Sequence, residues 1–138
     1  MKSLICILWS ILICGISFSQ DTADVSYYSL EPYDFHLKYL QNDPSVLIDV
    51  STPMEFRHRR IRNAINLPSS KDLFNYTDSL NKTFHIFLYC TNDYRSRRAA
   101  ELLYDRGFRN LYSLEGGIIA WKKDGMPIVR TKLKRKKQ

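Results

Sequence analysis

Thr83-Phe84-His85-Ile86-Phe87-Leu88-Tyr89-Cys90-Thr91-Asn92-Asp93-Tyr94-Arg95-Ser96 is the stretch whose pattern decides the fold. Its first half, Thr83 to Tyr89, is an apolar run of strand length, rich in aromatic residues, and it ends directly at a cysteine. Its second half is a polar loop that runs into a helical pattern from Arg95 to Arg106, where Ser96, Ala99, Ala100 and Leu103 share one face. Gly107 supplies the stop. A buried strand feeding an amphipathic helix through a short loop is the repeating unit of α/β proteins.

The flanks repeat the alternation. Upstream, Val46 to Val50 is a short β-branched run bounded by turn residues, which predicts a buried strand. Thr52-Pro53-Met54-Glu55 then has the spacing of a capping box with a first-turn proline, so a helix starts there. Leu30 to Gln41, opened by Pro32, reads as an amphipathic helix stopped by Asn42-Asp43-Pro44, after a flexible lead-in over Asp21 to Tyr28. Ile61 to Pro68 reads as irregular, and Ser69 to Asn81 as polar with a short helix at most. Downstream, Asn110 to Leu114 is a third strand, and Glu115-Gly116-Gly117 turns into a last helix, Ile118 to Asp124, closed by Gly125-Met126-Pro127. The fold class is therefore α/β, a central mainly parallel β-sheet with helices on both faces. At 138 residues, with 44% apolar and 25% charged side chains, the chain has material for one ordinary globular core.

Cys90 is the candidate for chemistry. It stands where a strand end meets a helix start, the place at which open α/β sheets bind ligands. Such a loop turns amide hydrogens inward and adds the positive end of a helix dipole, so it holds an anion without a dedicated side chain. Surroundings of that kind favour a cysteine thiolate, the nucleophilic form. Arg95 adds a fixed cation with a planar fork suited to an oxyanion. The competing reading, a small hydrophobe buried at a strand end, is the commoner fate of an isolated cysteine. The polar loop and the arginine that follow weigh against it.

Met1-Lys2, the apolar run Leu4 to Ile13 and the small-residue exit Ser17-Phe18-Ser19 read as a signal peptide over residues 1–19, cut after Ser19. The run is short against the ~20 residues a membrane span requires. Cleavage removes Cys6 and Cys14 and leaves Cys90 alone, so no internal disulfide is available, and a lone thiol in an oxidising compartment is either inert or used. The expected location is exported, periplasmic or secreted. The net charge of +7 resides in Lys2 and in a basic tail over residues 130–138, which leaves 14 basic against 14 acidic residues in the body. That balance argues against a nucleic-acid binder. The tail reads as a solvated end, with contact to an anionic membrane as the weaker alternative.

Taken in order, Leu47-Ile48-Asp49-Val50, Glu55-Phe56, Ala64-Ile65-Asn66-Leu67-Pro68, Cys90 with four residues between it and Arg95-Ser96, Leu114-Glu115-Gly116-Gly117-Ile118 and Ala120-Trp121 resemble a single-domain rhodanese over residues 28–129. The resemblance implies a rhodanese-like sulfurtransferase. Cys90 would take a sulfane sulfur from thiosulfate or a persulfide, hold it as a Cys90 persulfide and pass it to a thiol or cyanide. Thr91, Asn92, Asp93, Tyr94, Arg95 and Ser96 would form the substrate-binding loop, their amides stabilising the anionic sulfur and Arg95 orienting the donor. It implies no metal and no organic cofactor. Asp49 and Glu55 are expected to bond nearby backbone amides, Gly116-Gly117 to permit a tight turn, and Trp121 to pack the last helix. His36, His58 and His85 have no ligand-like spacing and receive no role.

The sequence departs from the family pattern in three places. Asp93 replaces a common glycine, and the expectation preferred here is that its carboxylate faces the sulfur and repels a dianionic donor; the other reading turns it outward onto a loop amide or Arg97. Arg62-Asn63 replaces a usual Pro-Gly pair, asparagine being tolerant of left-handed backbone. Ser51 replaces a frequent arginine. Two rivals remain: a non-catalytic binding module that keeps the fold without the chemistry, and a cysteine-dependent phosphatase, whose loop would be one residue longer.

Overall fold

The computed structural model describes residues 25–131. Five strands, β1 (Tyr28–Leu30), β2 (Ser45–Asp49), β3 (Ile65–Asn66), β4 (His85–Tyr89) and β5 (Leu111–Leu114), form one sheet in the order β1-β5-β4-β2-β3. Every pairing is parallel. Helices α1 (Pro32–Gln41), α2 (Pro53–His58), α3 (Ser70–Thr77), α4 (Tyr94–Asp105) and α5 (Gly117–Lys123) make the crossovers.

Strand periodicity sends alternate side chains to opposite faces. Along β4 and the residue after it, Ile86, Leu88 and Cys90 join Leu73 of α3 and Ala99, Ala100 and Leu103 of α4. Phe87 and Tyr89 face the other way, toward Phe35 of α1 and Ile118 and Trp121 of α5. Phe35 meets Phe87 and Trp121 edge to face, and Trp121 Nε1 donates to the Pro127 carbonyl at 2.9 Å, so this indole is buried with its polar atom satisfied. Leu88, Leu103 and Phe87 are fully buried, and each contributes roughly 1.5–3 kcal/mol by leaving water.

Local signals explain the helix ends. In α2 the Thr52 hydroxyl accepts from the Glu55 amide while a Glu55 carboxylate oxygen accepts from the Thr52 amide, the reciprocal cap expected from the spacing. The Ser69 hydroxyl accepts from the Asp72 amide and caps α3. The structure differs from the sequence reading at two strands. Tyr28–Leu30 is an edge strand paired with β5 rather than a lead-in, and the α1 helix opens at Pro32. Ile65–Asn66, read as irregular, pairs with Ile48–Asp49. Both are too short, at 3 and 2 residues, to show a period. The leader expected over residues 1–19 and residues 132–138 of the tail lie outside the described residues. The chain is held as far as Thr131, whose amide donates to the Arg57 carbonyl and whose hydroxyl accepts from Arg60.

Candidate active site

Parallel strands β2, β4 and β5 lie side by side, so the three segments that leave their C-terminal ends converge at one edge of the sheet. They are Val50 to Thr52, Cys90 to Asp93, and Glu115 to Gly117. Cys90 is fully buried and is the free cysteine among the described residues. Its Sγ lies 4.0 Å from Asn92 Oδ1.

The start of α5 fixes the cysteine loop by its carbonyls. The Ile118 amide donates to the Cys90 carbonyl at 2.9 Å and the Ile119 amide to the Thr91 carbonyl at 3.2 Å. Gly117, at φ +61°, lies so close that a β-carbon there would stand 2.5 Å from the Cys90 carbonyl oxygen. With its carbonyls turned to α5, the loop has its amides free. Among the described residues no protein acceptor takes the amide hydrogens of Thr91 through Ser96. Unpaired donors at the N-terminus of a 12-residue helix form a local anion-binding field beside the thiol.

Asp93 corrects the preferred expectation. It sits in left-handed backbone, φ +74°, where a glycine would be at ease. Its carboxylate points to α5 instead of the sulfur: Oδ2 accepts from the Gly116 amide at 3.0 Å, and Oδ1 lies 3.3 Å from Arg97. Asp93 is a clamp between the loop and the Gly116-Gly117 turn. Its carbonyl also receives the Ser96 hydroxyl and the Arg97 amide, and Ser96 bonds Ser113 of β5 beneath the helix. Asn92 and Tyr94 are exposed, Tyr94 at 71%.

Arg95 has a partner that spacing concealed. Its guanidinium meets Glu55 in a forked pair, at 2.9 and 2.8 Å, and Glu55 also accepts the Thr91 hydroxyl at 2.7 Å. Glu55 therefore does more than cap α2; it ties that helix to the cysteine loop. The Arg95 bonds, ahead of burial and with help from Thr91 and Thr52, hold the Glu55 carboxyl well below the usual range. Glu55 in turn raises Arg95, with a smaller contribution from Cys90. Both side chains are more than a third exposed, so the pair stabilises modestly, on the order of 1 kcal/mol after screening. Asp49 behaves as expected of a backbone-bonding carboxylate: it accepts the Ser51 amide at 2.7 Å and the Ser51 hydroxyl. Burial pushes its carboxyl up, and the Ser51 bonds oppose that shift. Tyr89 is likewise pushed up by burial, and its hydroxyl accepts the Ile61 amide at 3.0 Å.

Above the loop lies a cleft of about 240 Å³ lined by Ser51, Met54, Glu55, His58, Arg59, Thr91 and Ile118. Thr91 is the residue of the Thr91 to Ser96 loop that lines it; Tyr94 and Arg95 line a second depression of about 200 Å³ on the side of Leu67 and Pro68. Met54, His58 and Arg59 carry no motif, and their place at the site was legible only once α2 was seen to stand over the loop.

The sequence profile of the rhodanese-like domain matches residues 35–124. The chain is 38% identical over 93 residues to an uncharacterised protein of Synechocystis, covering 67% of this chain and 51% of that one. It is 33% identical over 84 residues to a sulfurtransferase of Allochromatium vinosum, covering 61% and 78%. Other relatives are tRNA uridine(34) hydroxylases, of which this chain spans 29% in Buchnera aphidicola. Among solved structures it is similar to a rhodanese-related protein of Thermoplasma volcanium, at 29% identity and a TM-score of 0.63, covering 75% of this chain and 98% of that one.

Proposed function

We propose that this chain, which belongs to the rhodanese-like domain family, is a sulfurtransferase that carries sulfane sulfur on Cys90. The Cys90 thiolate attacks the sulfane sulfur of thiosulfate or a persulfide, the donor's S–S bond breaks, and sulfite or a thiolate leaves with the electron pair. An acceptor thiolate or cyanide then attacks the outer sulfur of the Cys90 persulfide and regenerates the thiolate. One difficult transfer is divided into two easier ones. Thr91, Asn92, Asp93, Tyr94, Arg95 and Ser96 form the loop around the sulfur. Thr91 through Ser96 supply amides, and Arg95 is held in place by Glu55.

The observation that carries the reading is the run of acceptor-free amides, Thr91 to Ser96, at the start of α4 beside Cys90. A loop kept only for packing gains nothing from unpaired donors. Intact-mass measurement after exposure to thiosulfate or an organic persulfide tests the proposal. The protein should gain one sulfur atom, lose it again to cyanide or a thiol, and gain none as Cys90→Ser. A folded protein that takes up sulfur from no donor would instead be a binding module.

The same proposal places the domain outside the cytoplasm, on the strength of the leader over residues 1–19. Amino-terminal analysis of exported material should begin at Gln20. A membrane-bound product that retains Met1 would overturn it.

A further inference from the structure

A separate cavity, of about 220 Å³, lies where α1 and α5 cover the sheet, and it shares no lining residue with the cleft or with the depression beside Leu67. Its apolar walls are Tyr39 and Leu40 of α1, Trp121 of α5, Ile61, and Ile128 and Val129 of the segment after α5. Two anchors fix its shape. Val129 exchanges backbone hydrogen bonds with Arg60 at 2.8 and 3.0 Å, and the Trp121 indole is held by the Pro127 carbonyl at 2.9 Å. The walls are thus formed before any ligand arrives, which lowers the cost of binding. Leu40 is 66% exposed, so a ligand against that wall would cover apolar surface that now faces water. The polar side chains of the lining are His36, Arg62 and Asn63, and no carboxylate is among them. Arg62 is exposed and makes no ion pair among the described residues.

Size, walls and charge together define a ligand. An apolar cavity of about 150 Å³ holds one benzene, so this one has room for a single ring and a short chain. Three of its lining residues are aromatic, and the His36 ring already meets Trp121 edge to face at 5.4 Å. A further ring extends that arrangement. An unpaired guanidinium at an apolar cavity that carries no acid favours a planar anion, which it can bind with two parallel hydrogen bonds. We infer that this cavity is a binding site for a small aromatic monocarboxylate, its ring between Tyr39, Leu40 and Trp121 and its carboxylate on Arg62. The site is separate from the loop of Cys90, and the inference stands whether or not the domain transfers sulfur.

The experiment titrates the full chain with 3-phenylpropionate, with its uncharged amide and with propionate, which lacks the ring, and follows the amide and indole N–H signals by NMR. Trp9 and Trp121 are the two tryptophans, so Trp121→Phe assigns the signal that matters. The Trp121 indole signal should shift saturably with 3-phenylpropionate, at a Kd below about 1 mM, within reach of a ligand of this size. The amide should bind about fivefold more weakly, the scale of one exposed ion pair. Propionate should not saturate. Arg62→Ala should bring the acid down to the affinity of the amide, and Arg62→Lys should recover part of the difference, with unchanged melting curves showing that both variants keep the fold. Equal affinity for acid and amide in the unaltered chain, or propionate bound as well as the aryl acid, would overturn the inference. So would a shift confined to the amides of Thr91 through Ser96, which would put the ligand at the Cys90 loop, or no saturable shift at about ten times the expected Kd.

Discussion

Asn63 and Asp93 are the two non-glycine residues that adopt left-handed backbone among the described residues, at φ +66° and +74°. Both stand where the rhodanese pattern favours glycine, yet they solve the loss of glycine differently. Asn63 lies exposed in the turn between α2 and β3, where the Ala64 amide reaches the Ile61 carbonyl at 3.3 Å, and its side chain makes no hydrogen bond among the described residues. Asp93 is half-buried and grips the Gly116 amide and Arg97. At Asn63 the side chain tolerates the conformation; at Asp93 it also uses the conformation to fasten one loop to another. A glycine-to-carboxylate replacement beside an anionic site need not be a penalty when the carboxylate has an amide to turn to.

The contrast predicts where the molecule is least forgiving, and the largest effect lies in the turn that Asp93 grips. In Gly117→Ala the new β-carbon would meet the Cys90 carbonyl oxygen at 2.5 Å and the Thr91 carbonyl at 2.6 Å, all backbone, at a φ of +61°. Neither can yield without moving the cysteine. Stability should fall by about 3 kcal/mol, from overpacking together with left-handed strain. Sulfur loading should fall by roughly a hundredfold or more, as expected when reacting groups are displaced by an ångström. Denaturant unfolding and a mass-based loading assay check the two parts. Near-normal loading would mean that the α5 turn does not position the loop, and the clamp assigned to Asp93 would lose its purpose.

Asp93 itself comes next. Asp93→Gly relieves the left-handed strain but removes the bond to Gly116, a charge-assisted bond worth more than the relief, so stability should drop by about 1 kcal/mol. Activity should fall by about tenfold, and by the same factor with thiosulfate and with an organic persulfide, because what is lost is the position of the loop. Asp93→Asn keeps an oxygen for the Gly116 amide and should recover most of it. A rise with thiosulfate alone in Asp93→Gly would return the carboxylate to the sulfur and break the comparison.

Those two residues also mark what sequence reasoning reaches. The need for left-handed backbone at both was legible, since the pattern of the family and the tolerance of asparagine point to it. The direction of the Asp93 side chain was not, because its partner amide is 23 residues away and belongs to a turn placed by β5. Glu55 shows the same limit from the other side. The capping box was legible and correct, but it accounted for the carboxylate so fully that the forked pair with Arg95, 40 residues on, had no residual signal. Strand β4 and helix α4 were legible because five and twelve residues suffice to show a period, and β1 and β3 were not because three and two do not. Contacts within a turn of chain are written in spacing; contacts between loops are written in the sheet order.

The smallest effect belongs to Asn63, and it separates tolerance from use. Asn63→Gly removes the residual cost of a side chain at φ +66° but gives the unfolded chain more freedom to lose, and these oppose each other. The net change should lie within about 0.5 kcal/mol. Asn63→Ala has no local polar group to offset the left-handed backbone and should lose about 1 kcal/mol. In both variants kcat/KM should stay within about twofold, because nothing from Asn63 reaches the loop that carries Cys90. Paired denaturation curves and steady-state assays give the comparison directly. If Asn63→Gly were to lose activity as Asp93→Gly is expected to, the α2 to β3 turn would have to be holding the wall of the cleft through Ile61, whose amide meets the Tyr89 hydroxyl at 3.0 Å, and the two left-handed positions would then be doing the same job.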